Sequence, residues 1–162
     1  MEIKIRAVSD CDRDAIWKIF QEVIAAGDTY TLDRDMSRDE ALAYWFQKSA
    51  HVYVAEVNQH VAGSYTMHAN HAGGGDHVAW AGFIVAKSAR GQGIGRAMGQ
   101  HSLQEARRLG FRAMQFNCVV ATNPAVKLWE DLGMKIVGTL PGAFKHPTRG
   151  YVDAYVMFQE FV

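Results

Sequence analysis

Cysteine is scarce in this chain. Cys11 and Cys118 are its two thiols in 162 residues, too few for a disulfide framework or a four-cysteine zinc site. An excess of either charge is also missing, since 17 Lys and Arg balance 17 Asp and Glu. A net charge of zero leaves no whole-chain attraction for nucleic acid. No apolar run approaches the ~18 residues of a membrane span. No internal repeat, low-complexity tract or linker interrupts the chain. The opening Glu2-Ile3-Lys4-Ile5-Arg6 alternates polar and apolar residues, which reads as a strand and not as a secretory leader. A cytoplasmic protein with neither nucleic-acid nor membrane partners is expected.

What is present is globular. Hydrophobic residues are 49% and charged residues 21%, near the average of soluble domains. A chain of this length is expected to form one domain, residues 1–162, and to bury roughly 70% of its unfolded surface.

Hydrophobic periodicity predicts a mixed order of strands and helices. Ile3 and Ile5 suit a half-buried first strand. Ser9 to Asp12 and Ser37 to Glu40 each place an acid three residues after a serine, the pattern of a capping box. Ile16, Ile19, Phe20, Val23 and Ile24 recur at helical spacing, and Gly27 ends that helix. Ala41, Leu42, Trp45 and Phe46 give the next helix its apolar face. Strands are expected over 51–57, 61–70, 77–85, 112–119, 134–140 and 151–158. Helices are expected from the glycine turn to Leu109 and from Pro124 to Leu132. The order β-α-α-β-β-β-α-β-α-β-β is that of a layered α/β domain.

The most informative segment runs from Val85 through Arg90-Gly91-Gln92-Gly93-Ile94-Gly95-Arg96. A buried strand enters a glycine turn that opens a helix. The first N–H groups of a helix lack internal partners and sit at the positive end of its dipole. Glycines remove the Cβ atoms that would hold a ligand away. Such a turn cradles phosphate or pyrophosphate. A P-loop would need a Gly-Lys-Ser/Thr ending that is not there. A dinucleotide fingerprint would need G-x-x-G after the second glycine, and Gly99 falls out of step with it. The pattern R-x-x-G-x-G is met by Arg90, Gly93 and Gly95.

A second segment lies downstream: Asn123-Pro124-Ala125-Val126-Lys127-Leu128-Trp129, then Leu132-Gly133-Met134. With both segments in this element order, the chain resembles the GCN5-related N-acetyltransferase (GNAT) superfamily over nearly its whole length, in particular a bacterial small-molecule subgroup. The resemblance implies an α/β fold with a mixed, twisted sheet of about seven strands and helices on both faces. Its fourth and fifth strands splay apart around acetyl-CoA. It places the pantetheine arm near Phe83 and Val85 and the pyrophosphate on Arg90, Gly91, Gln92, Gly93, Ile94 and Gly95, beside Arg96. Asn123 and Trp129 complete the implied cofactor-binding set, with no metal. The implied activity is direct acetyl transfer from acetyl-CoA to the primary amine of a small molecule. Acetylation of a protein N-terminus or lysine, and a non-catalytic acyl-CoA sensor, are the alternatives. Homodimers are common in the superfamily.

Amine attack on a thioester sets further demands. An amine of ordinary pKa near 10.4 is neutral in about one molecule in a few thousand at pH 7. Something must accept its proton, and fixed donors must hold the developing oxyanion. Asn117, beside Cys118 at a strand end, is a candidate to orient the amine or bind the carbonyl, against a plain structural amide. Tyr151, with Asp153 and Tyr155 on one face of the last strand, is a second catalytic candidate. Tyr30, between the first two helices, and Tyr65 are candidates for substrate contact. Trp129 stands where many family members have a tyrosine that donates to the leaving thiolate. An indole N–H donates a hydrogen bond but delivers no proton, so core packing is favoured for it. Cys118 as a covalent nucleophile is disfavoured. His68, His71 and His77 match no metal-ligand spacing and read as solvated loop histidines. Arg107, Arg108 and Arg112 read as a solvated helix end, with the CoA 3′-phosphate as the other partner considered.

Overall fold

The computed structural model describes residues 1–161. Among them, seven strands and four α-helices follow the expected order. They are β1 (Ile3–Ala7), α1 (Arg13–Ala26), α2 (Arg38–Trp45), β2 (His51–Val57), β3 (His60–Ala69), β4 (Val78–Val85), α3 (Ile94–Arg108), β5 (Ala113–Val120), α4 (Ala125–Asp131), β6 (Lys135–His146) and β7 (Gly150–Glu160). The strands form one sheet in the order β1-β2-β3-β4-β5-β7-β6. No helix among the described residues is long and apolar enough to cross a membrane.

Local chemistry accounts for the elements. The helical repeat in α1 buries Ile16, Ile19, Phe20, Val23 and Ile24, and Gly27 closes the helix in the left-handed region at φ 67°. Ser37 and Glu40 form the expected capping box on α2: the Glu40 N–H donates to Ser37 Oγ (3.2 Å), and the Ser37 N–H donates to Glu40 Oε2 (2.9 Å). Asp12 accepts from the Ser9 N–H at 2.8 Å and from two Arg6 nitrogens at 2.8 and 2.9 Å. These bonds hold the nearly buried Asp12 carboxyl well below its ordinary pKa, at about 2.

Two cores cover the two faces of the sheet. One packs α1 and α2 against Val52, Val54 and Ile84. The other packs α3 and Trp129 of α4 against Tyr65, Met67, Met114 and Phe116. Alternation along β3 sorts its side chains between them. Ser64 accepts from Trp45 Nε1 (3.0 Å), and Thr66 Oγ1 donates to the Trp45 carbonyl (2.8 Å), so the buried hydroxyls are satisfied on the α2 side. Tyr65 and Met67, fully buried, lie in the opposite core.

The neighbouring strands are antiparallel except β4 and β5. That parallel pair meets only at Val78↔Ala113 and Ala79↔Met114. Beyond it, β4 stays with β3 as far as Val85↔Gly63, while β5 stays with β7. The expected splay is present. A bulge adds to it, because the β5–β7 register jumps from Phe116↔Met157 to Val119↔Tyr155. One extra residue then stands in β5 at Asn117-Cys118, which bends the strand and re-aims its side chains.

The sixth strand is longer than periodicity predicts. Alternation breaks at Pro141-Gly142, and the expected strand stops at Leu140. In the structure β6 resumes its pairing at Phe144↔Val152 after a register shift. An edge strand tolerates proline, whose missing N–H would be unpaired there anyway.

Candidate active site

The open side of the splay holds a cavity of about 680 Å³. One end reaches the turn before α3, where Arg90 and Gly95 line it. Gly91 (φ 75°) and Gly93 (φ 83°) take left-handed conformations, and a Cβ on either would meet nothing within 4 Å. The backbone is therefore uncovered. The first helical bond runs from the Ala97 N–H to the Gly93 carbonyl (3.0 Å). The N–H groups just before Ala97 have no helical acceptor, which is the arrangement an anion needs.

The wall toward α3 and α4 is apolar. Phe83 of β4, Phe116 of β5 and Trp129 of α4 form one cluster, with Trp129 centroids 4.6 Å from Phe83 and 4.7 Å from Phe116. Gly99 of α3 lets Trp129 in, since a Cβ there would stand 2.9 Å from Trp129 Cζ3. The wall toward α1 and α2 is polar and aromatic, with Tyr30, Tyr44, His68, Asn70, Trp80 and Asn117. The Tyr30 hydroxyl donates to the Phe83 carbonyl at 3.0 Å, and burial pushes its pKa up. Asn117 and Asn70 bond reciprocally, Asn117 Nδ2 to Asn70 Oδ1 at 2.7 Å and Asn70 Nδ2 to Asn117 Oδ1 at 3.2 Å. A Cβ on Gly82 would press on the Trp80 ring (2.7 Å) and the Tyr30 hydroxyl (3.0 Å). That glycine thus leaves room over β4 for both side chains.

The sequence profile described as "Acetyltransferase (GNAT) family" matches residues 15–134. The chain belongs to the GNAT acetyltransferase family. The N-acetyltransferase aca1 of Schizosaccharomyces pombe is 31% identical to it over 156 residues, 85% of this chain and 75% of that one. A solved GCN5-related N-acetyltransferase from Kribbella flavida is 44% identical, with a TM-score of 0.94 and coverage of 98% of this chain and 97% of that one. The protein yncA from Salmonella typhimurium, solved with its cofactor acetyl-CoA, shares the fold at 23% identity, with a TM-score of 0.88 and coverage of 100% and 95%. This GNAT protein is accordingly an acyltransferase, and the GNAT fold expected from the sequence is its fold.

Within the GNAT frame, Phe83, Val85, Arg90, Gly95, Asn117, Asn123, Trp129 and Tyr30 all line the cavity. Asn123 also holds the turn that leads into α4, its Oδ1 accepting from the Ala125 N–H at 2.9 Å. Gly91, Gln92, Gly93 and Ile94 form the turn and the helix start without lining the cavity by side chain. Gln92 turns back toward the Ser88 carbonyl (3.4 Å), and the Ile94 side chain is buried in the core.

Three expectations need correction. Arg96 pairs with Asp131 of α4 (3.2 Å) and does not line the cavity. Tyr65 is fully buried on the α3 side, stacked between Tyr53 and Phe83, and shares a 2.7 Å hydrogen bond with His101 Nδ1. Strand alternation turns it away from the α1–α2 loop. Tyr151 is 73% exposed and pairs with Lys145 near the β6–β7 turn, outside the cleft.

The basic group at the end of α3 is also accounted for. Arg107 lies over the Phe161 ring (4.5 Å), and Arg108 pairs with Glu105. Burial pushes the Cys118 thiol pKa up, away from the thiolate a nucleophile needs. No cluster of three metal-ligating side chains exists among the described residues. Three lining residues, Trp80, Tyr44 and Asn70, carry no functional mark in the sequence, and His68 is expected only as a solvated loop histidine. His68 is no loop histidine, since it stands in β3 opposite Trp80 of β4. The β3–β4 pairing is what brings these side chains together.

Proposed function

We propose that this GNAT protein transfers an acetyl group from acetyl-CoA to the primary amine of a small molecule in one direct step. The observation that carries the reading is the single cavity joining the helix start to the polar wall. Its size falls within the roughly 300–1,000 Å³ of small-ligand sites. The residues fit acetyl-CoA chemically. An uncovered helix start beside Arg90 suits a pyrophosphate, and the splayed edge of β4 at Phe83 and Val85 suits an extended amide-bearing arm. Bound acetyl-CoA supplies the electrophilic thioester carbon.

The rest is done by this chain. Trp129, Phe83 and Phe116 exclude water on one side. The amide pair Asn70–Asn117 and the aromatic wall hold the acceptor on the other. Asp28 and Arg90 are the charged side chains lining the cavity. With Arg90 at the anion turn, Asp28 remains to favour an acceptor that arrives as an ammonium. The raised thiol pKa of Cys118 supports direct transfer over a covalent acetyl-enzyme.

The test is thiol release from acetyl-CoA against pooled amino acids and analogues, polyamines, aminoglycosides and short peptides. Release with a small-amine pool is the expected result. Release with peptides alone would show a protein acceptor. Silence in every pool would overturn the reading.

A further inference from the structure

We propose that His68 is the general base of the transfer, its Nε2 taking a proton from the acceptor ammonium; this rests on the reading above. The argument begins at the other ring nitrogen. His68 Nδ1 lies 2.8 Å from the Ala69 carbonyl oxygen. A carbonyl oxygen only accepts, so Nδ1 must carry the hydrogen. In the neutral ring Nε2 is then a bare lone pair. That Nε2 is buried and has no hydrogen-bond partner among the described residues. A buried polar atom left unsatisfied calls for an explanation. Here the ring borders the cavity, on the acceptor wall. The missing partner is the hydrogen of a bound amine.

The ring is held for that task. It packs against the Trp80 indole at 5.0 Å between centroids, and Tyr44 packs edge-on against Trp80 at 6.3 Å. The other titratable groups of the wall serve less well. Tyr30 is committed to the Phe83 carbonyl. Tyr44 and Cys118 have pKa values pushed up by burial, so their deprotonated forms are scarce. Asn117 is an amide and accepts no proton. Asp28 is the carboxylate already assigned to attract the arriving ammonium.

The step balances. One ammonium proton moves to Nε2 and the amine nitrogen gains its lone pair. The N–C bond forms, the C–S bond breaks, and its electron pair goes to sulfur. The second amine proton passes to that sulfur, leaving amide and free CoA thiol. His68 then returns its proton to solvent.

Two measurements test the proposal. The first needs no substrate: imidazole 15N shifts of the free protein at pH 8, with His68 identified by the signal lost in His68→Asn. A protonated Nδ1 and a bare Nε2 are expected. The opposite tautomer would overturn the proposal. The second is the kinetics of His68→Asn, whose side-chain amide keeps a donor for the Ala69 carbonyl but has nothing at Nε2. General-base loss predicts a fall in kcat of about 10²–10⁴-fold. Acetyl-CoA affinity by calorimetry and Tm should stay at wild-type values. Should this variant fail to fold, His68→Gln is read by the same criteria. A kcat within about threefold of wild type would sink the base alone, as would a defect confined to acceptor KM. A wild-type protein silent toward every amine would sink the transferase reading as well.

Discussion

The Tyr30 hydroxyl donates to the backbone carbonyl of Phe83 at 3.0 Å, across 53 residues of chain. The contact ties the loop between α1 and α2 to the edge of β4 that the splay leaves unpaired. It therefore joins the acceptor wall to the strand proposed to carry the acetyl donor.

Tyr30→Phe removes that tie without emptying the ring's place against Phe20, 6.0 Å away between centroids. The expected loss of stability is about 1 kcal/mol, the worth of one hydrogen bond. Acceptor KM should rise more than acetyl-CoA Kd. Urea denaturation and steady-state kinetics measure both, and an unchanged KM would show that the loop does not position the acceptor.

Gly93→Asp should abolish acetyl-CoA binding by setting a carboxylate against the anion turn. Gly93→Asn is the control, because asparagine tolerates the left-handed conformation at φ 83° and carries no charge. Calorimetry should show the Asn variant binding far better than the Asp variant. Equal affinities would mean that the anion lies elsewhere.

Trp129→Phe should keep most activity, since the ring's contacts with Phe83 and Phe116 are apolar. Trp129→Ala should cost about 3–5 kcal/mol, the usual loss for truncating a buried aromatic residue. If kcat of the Phe variant fell a hundredfold while its Tm held, the indole N–H would have a chemical role.

Asp12 sets an acid limit on stability. Its folded pKa, about 2, lies below the ordinary value near 3.9. Ionised Asp12 thus stabilises the fold at any pH above the unfolded value. That contribution, about 2 kcal/mol, is lost as pH falls through the folded value. Asp12→Asn should be less stable than wild type at pH 7, and the gap should close near pH 2. A pH-independent gap in urea midpoints would refute the linkage.

Much of the fold was legible because its signals are local. The helix faces, the Ser37–Glu40 box and the glycine turn each speak within a few residues. The anion end of the site was legible for the same reason. The acceptor wall was not, because it is assembled by register. His68 meets Trp80 only through β3–β4 pairing, and Asn70, just past the end of β3, meets Asn117 of β5 only across the intervening β4. Tyr65 shows the same limit from the other side. Its sequence neighbourhood is compatible with either face, and the pairing with β4 decides which core receives it. The bulge at Asn117-Cys118 leaves no mark in composition, yet it shapes the end of the site near those residues.

The two residue pairs that join β4 to β5 divide the sheet into two plates. Strands β1 to β4 hold together as one antiparallel plate, and β5 to β7 as another. Between the plates, backbone hydrogen bonding is short, and helix packing carries much of the join. A ligand lying along the gap would act as a missing rung, tying two plates that the chain itself only touches together. Occupancy and rigidity would then be one variable, and the cleft would be most ordered when it is full.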